Sequence, residues 1–177
     1  AFTSNAITGY YFESTEKFEE NLKILLSFVS IPYFTQESVD KEQGIIGQEI
    51  RMYEDSPDWE VYIALMEAMY KTHPIRVNVA GSVESISHIT ADTLYACHKA
   101  FYDPANMTLC VAGNVDPEHI CAVAREILPK EPGPIALKDY GEKEADRVAR
   151  SVTEKEMAVS TPIFQLGWKG DAPQKGE

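Results

Sequence analysis

The chain has few cysteines, no basic run and no long apolar stretch among its 177 residues. Its three cysteines, Cys97, Cys110 and Cys121, are odd in number and lack C-x-x-C spacing, which excludes a disulfide framework and a zinc ribbon. Cys110 sits inside an apolar, strand-like run, so the three read as reduced core thiols of a cytoplasmic protein. With 28 acidic against 16 basic residues and a formal net charge of −12, no patch exists to attract nucleic acid or an anionic membrane surface. No apolar run approaches the ~18 residues that a spanning helix needs. What remains is 44% hydrophobic, enough for one sizeable core.

The most informative segment is DKEQGIIGQEIRMY, which carries Glu42 and Glu49 seven residues apart. At helical pitch they lie ~20° from each other, with Val39, Ile45, Ile46, Ile50 and Tyr53 within about 80° of Glu42. This wheel predicts two carboxylates in the middle of an apolar stripe. Buried ionised carboxylates cost several kcal/mol unless a cation meets them. A metal ion would serve, and so would a buried Arg or Lys or a set of loop N–H groups. Gly44 and Gly47 cost roughly 1 kcal/mol each against Ala, and predict a close approach of another element to this helix.

Around this segment the pattern alternates. Residues 1–13 end in β-prone Tyr10-Tyr11-Phe12 and read as extended. Ser14 or Thr15 caps a helix from about 16 to 30, which Pro32 stops. Thr35 starts the glutamate helix, about 36 to 54, and Ser56-Pro57 opens another to about 71. GSVESISHIT predicts one helical turn before Thr90 caps a helix over about 91 to 102. Met107 to Ala112 reads as a buried strand, and Asp116-Pro117 opens a helix to about Leu128. The Pro-, Gly- and charge-rich stretch 129–147 reads as a linker, followed by strands at Arg150 to Ala158 and Ile163 to Trp168. The chain opens on Ala1-Phe2-Thr3 without an initiator Met and ends in the polar tract Asp171 to Glu177, as an internal slice of a longer protein would.

Several stretches together resemble the pitrilysin/insulinase family of zinc metallopeptidases. They are NAITGYYF near the start, Pro32-Tyr33-Phe34 leading into E-x6-E at Glu42 and Glu49, and His73-Pro74. GSVESISHIT at 81–90 and FYDPANMTLCVAGNVDPE at 101–118 complete the set. Order and spacing match over roughly residues 1–128, with the strongest likeness to bacterial members of the processing-peptidase size class. The resemblance implies zinc held by two His of an H-x-x-E-H helix and by a Glu from a later helix. Glu49 matches that third ligand. Glu42 matches a carboxylate that supports the site. In such a site zinc keeps one position for water, lowers that water's pKa and polarises the scissile carbonyl.

One departure is large: no H-x-x-E-H occurs in these residues. By family spacing it would fall upstream of Ala1. His73, His88, His98 and His119 offer no substitute, because none pairs with another at i+4. The resemblance also matches Ala1, Phe2 and Thr3 to an edge strand that aligns an extended peptide by β-addition, against the plain alternative of a frayed terminus. Tyr102, Pro104 and Asn106 match a motif expected to end a helix and enter a strand.

These readings predict an α+β fold, an antiparallel sheet with helices mainly on one face. Residues 1–128 form the C-terminal part of a first αβ half, 129–147 a linker and 148–177 the opening strands of a second half. The expected function is part of a zinc endopeptidase acting on peptides, with zinc in the full-length protein and none in this piece. Self-association through uncovered apolar surface is expected; nucleic acid and membrane partners are not. The alternatives are a catalytically inactive relative serving as a binding or scaffolding subunit, and an acidic interaction module of other ancestry.

Overall fold

The structure is a computed structural model that describes residues 1–129, 131, 133, 135–137, 139 and 141–170. The polar tract 171–177 lies outside the described residues. The chain divides into two compact units: Ala1–Lys41 with Ile89–Lys138, and Glu42–His88 with Asp139–Glu177.

In the first unit, β1 (Phe2–Thr3) and β2 (Thr8–Gly9) pair antiparallel in a hairpin, with Phe2 opposite Gly9 and Thr3 opposite Thr8. Helix α1 spans Phe18–Ser30 and stops before Pro32. It starts later than the predicted Ser14 or Thr15 cap, because Lys17 turns the chain in a left-handed conformation, φ 54°, with no side-chain cap. Glu19 and Glu20 in its first turn complement the positive end of the helix dipole. Helix α6, Pro117–Ile127, begins as predicted: the Asp116 side chain accepts from the Glu118 N–H at 3.0 Å, and proline takes the first position. Leu22 and Leu26 of α1 meet Ile120 and Val123 of α6 in a buried cluster, covered by Phe12, Phe18, Val111 and Val115.

Helix α5, Ala91–Phe101, is capped by the Thr90 side chain and closes at Tyr102, where the Asn106 amide donates to the Phe101 carbonyl at 2.9 Å. Pro104–Asn106 forms a single 3-10 turn. The Tyr10 and Tyr102 hydroxyls share a 2.7 Å hydrogen bond. Burial first, and this bond second, push the Tyr102 phenol up to about 12.

Helix α2, Gln36–Glu54, has the predicted bounds, with Thr35 accepting from the Ser38 N–H at 3.1 Å; it starts in the first unit and ends in the second. The second unit continues with α3 (Pro57–Met69), a 3-10 turn at Pro74–Arg76 after His73, and α4 (Val83–Ser87). Ser82 and Ser85 cap α4 reciprocally, which explains the short turn read from GSVESISHIT.

The described residues are mostly helical, and their only sheet is the two-stranded β1–β2 hairpin. Three predicted strands are corrected. Met107–Ala112 has no ladder partner among the described residues, and Met107 to Cys110 are exposed rather than buried. Arg150–Ala158 and Ile163–Trp168 are likewise irregular. A strand is stable only where its N–H and C=O groups find a neighbouring strand, and none among the described residues reaches these segments. The core-thiol reading is also corrected: Cys97, Cys110 and Cys121 are free but all exposed.

Candidate functional site

Helix α2 carries the candidate residues, and the structure rotates its buried face away from them. Val39, Gly47 and Ile50 are buried and Ile46 is half-buried. At helical pitch their centre lies roughly 80–100° from Glu42 and Glu49. Both glutamates are exposed, which corrects the predicted inward placement. They share their side of the helix with Ile45, 52% exposed, and Met52, 61% exposed. The reason is a packing partner that the wheel cannot show: Ile86 of α4 lies beside Gly47, and the Gln43 amide donates to the Ile86 carbonyl at 2.8 Å.

The glycines differ from expectation too. A side-chain carbon at Gly44 would meet nothing within 4 Å, and one at Gly47 would reach Ile86 only at 4.0 Å, an ordinary contact. Neither requires the close backbone approach that was predicted.

Among the described residues, Glu42 and Glu49 accept no hydrogen bond and pair with no cation. Exposure removes the burial cost that an enclosed carboxylate would carry. Two charged, unengaged carboxylates on one helix side remain. The four histidines do not join them. His73 Nδ1 accepts from the Ile75 N–H at 3.1 Å, and His88 Nδ1 lies 2.9 Å from the Glu84 carbonyl. His98 Nε2 lies 2.8 Å from the Val29 carbonyl, with its ring stacked on Tyr102, and His119 Nε2 lies 2.9 Å from Glu19. Among the described residues no three His, Cys, Asp or Glu side chains gather as a metal site.

At the other candidate position, Phe2 and Thr3 form β1, with Ala1 just before it. The ring of Phe2 lies over Gly9 and meets Tyr11 with centroids 6.5 Å apart. Among the described residues β1 pairs with β2 along one edge only. A cavity of the first unit, about 470 Å³, is lined by Phe28, Phe34, Leu94, Cys97, His98 and Tyr102 among others. Its histidine and tyrosine heads already bond to protein groups.

One strongly perturbed group was invisible in the sequence. Glu144 lies in the stretch read as linker, yet its carboxylate accepts N–H groups from Lys71, Thr72 and His73. The donors are main-chain atoms, so no residue type announces them.

Comparison with known proteins matches residues 1–82 to the model for insulinase, peptidase family M16, and residues 88–177 to the model described as the peptidase M16 inactive domain. The chain is 49% identical over 177 residues to the uncharacterized zinc protease YmfH of Bacillus subtilis, covering 99% of this chain and 41% of that protein. It superposes on a crystal structure described as an M16-like peptidase from Alicyclobacillus acidocaldarius with TM-score 0.68 and 40% identity, covering 77% of this chain and 33% of the other. A peptidase M16 inactive domain from Pseudomonas fluorescens gives TM-score 0.64 and 26% identity, over 76% and 32%. The chain thus spans about two fifths of its curated relative's length.

Proposed function

Because the chain belongs to the insulinase (M16) family of peptidases, we propose that it is part of a zinc-dependent endopeptidase to which α2 contributes Glu49 as the carboxylate ligand. The observation that carries this reading is the state of Glu49: exposed and unengaged among the described residues, on a helix inside the stretch matched by the insulinase model. A carboxylate oxygen is a donor that zinc accepts, and one without a protein partner has no such bond to give up. The histidine donors would come from residues outside this chain. Glu42, one helical repeat earlier on the same side, would support the site without ligating.

The peptide substrate would lie extended along Ala1, Phe2 and Thr3, whose outer edge has no partner among the described residues. In the parent protein the β1–β2 hairpin would belong to an antiparallel sheet with helices mainly on one face. Residues 1–128 would close the first half, 129–147 link, and 148–177 open the second. The free thiols fit a cytoplasmic setting. No helix among the described residues is long and apolar enough to cross a membrane. Exposed Phe28 and Tyr33 in one unit, and Phe164 and Trp168 in the other, favour self-association of the isolated chain.

A second reading, an inactive member acting as a binding subunit, is favoured by the description of the model that matches residues 88–177. Zinc content and hydrolysis of an unfolded polypeptide by the full-length protein, with and without chelator, separate the two. Stoichiometric zinc with chelator-sensitive cleavage supports the peptidase. Neither metal nor cleavage selects the subunit.

A further inference from the structure

We propose that Glu144 clamps residues 142–150 onto the C-terminal end of α3, so that this segment is docked to the second unit instead of being tethered to it only through the chain. The Lys71, Thr72 and His73 N–H groups point at one carboxylate: Lys71 donates to Oε1 at 3.0 Å, and Thr72 and His73 donate to Oε2 at 2.7 and 2.8 Å. The Thr72 hydroxyl donates to Oε2 at 3.0 Å and lies 3.2 Å from the Glu142 carbonyl. Three successive N–H groups form a concavity suited to an anion, and here the chain supplies its own.

Lys169 closes the clamp from the other side. Its ammonium lies 3.1 Å from Glu144 Oε1 and donates to the Ala145 and Arg147 carbonyls at 2.7 and 3.0 Å. It also sits 4.8 Å from the centroid of the Tyr70 ring. Both partners are largely enclosed, at 11% and 14% side-chain exposure, so this pair is unlike a solvated surface bridge. Beyond the clamp the segment keeps to α3: the Arg150 and Ala149 N–H groups donate to the Ala68 and Met69 carbonyls at 2.8 and 3.3 Å. Those carbonyls belong to the last turn of α3, where helical partners run out. At Gly167 a side chain would collide with Met69, so the returning chain also packs closely there.

The groups facing the carboxylate are Lys169, the Thr72 hydroxyl and the main-chain donors of 71–73. Hydrogen bonds from Lys71 and Thr72, then His73 and Lys169, hold the carboxyl far below its ordinary range.

Amide hydrogen exchange on the full chain tests the clamp. In Glu144→Ala, exchange at Lys71, Thr72, His73, Ala149 and Arg150 should accelerate about tenfold or more, while α6 amides keep their rates. Lys169→Met should accelerate the same amides less, since the N–H concavity keeps its carboxylate. Where Glu144→Ala does not fold, Glu144→Gln, which keeps one acceptor oxygen and loses the charge, carries the same comparison. Unchanged protection at Ala149 and Arg150, or equal acceleration in α6, overturns the proposal.

Discussion

Truncating Leu22 to Ala probes the contact that organises the first unit. Leu22 is 1% exposed and meets Ile120 and Val123 across the α1–α6 junction. The change removes apolar surface from a closed site, and two regular helices cannot collapse fully into the gap. Such substitutions cost about 2–5 kcal/mol, and partial relaxation of half-buried Phe18 places this one near ~3 kcal/mol. Ile24, on the same helix but 66% exposed, is the internal control, and its change to Ala should stay within about 0.5 kcal/mol. Urea unfolding followed by far-UV circular dichroism measures both, with unchanged slope as the condition for comparing midpoints. A loss below about 1 kcal/mol for Leu22→Ala, or an equal loss for Ile24→Ala, would refute the assignment of the core.

Other outcomes follow from the same structure. Glu144 has its folded pKa depressed from the ordinary 4.5, so its contribution is fully present above that pH and fades as pH falls below it. Glu144→Gln should therefore unfold more easily than the parent chain at pH 7 but match it increasingly under acid, and a pH-independent difference would contradict this. In the full-length protein, Glu42→Gln should retain zinc at high metal concentration and hydrolyse peptide about 10–100-fold more slowly, as expected of a group that orients ligands; a lowered melting temperature with normal turnover would make it structural. Light scattering should find the isolated chain larger than a monomer, and a strictly monomeric solution would show that its exposed apolar residues draw no second copy.

Local signals were legible and distant ones were not. The bounds of α2 follow from Thr35 and the apolar spacing, and those of α6 from Asp116-Pro117, because capping is decided within a few residues. Met107–Ala112 has the composition of a strand, but a strand exists only with a neighbour, and composition does not say whether one arrives. The helical wheel of α2 correctly placed Glu42 and Glu49 on one side. Which side is buried depends on Ile86, about forty residues away in sequence, and no periodicity carries that information. The family motifs point to Glu49 by sequence position, independently of its burial.

The central claim is that Glu49 binds zinc in the full-length protein. Its most direct test is the zinc-to-protein ratio of purified full-length Glu49→Gln beside the parent, with melting temperature recorded on the same samples. Gln keeps the shape and one acceptor oxygen but loses the charge that attracts the cation. The account predicts a sharp fall in bound zinc at a near-normal melting temperature, since the exposed side chain holds nothing else in place. Full zinc occupancy in Glu49→Gln would contradict it.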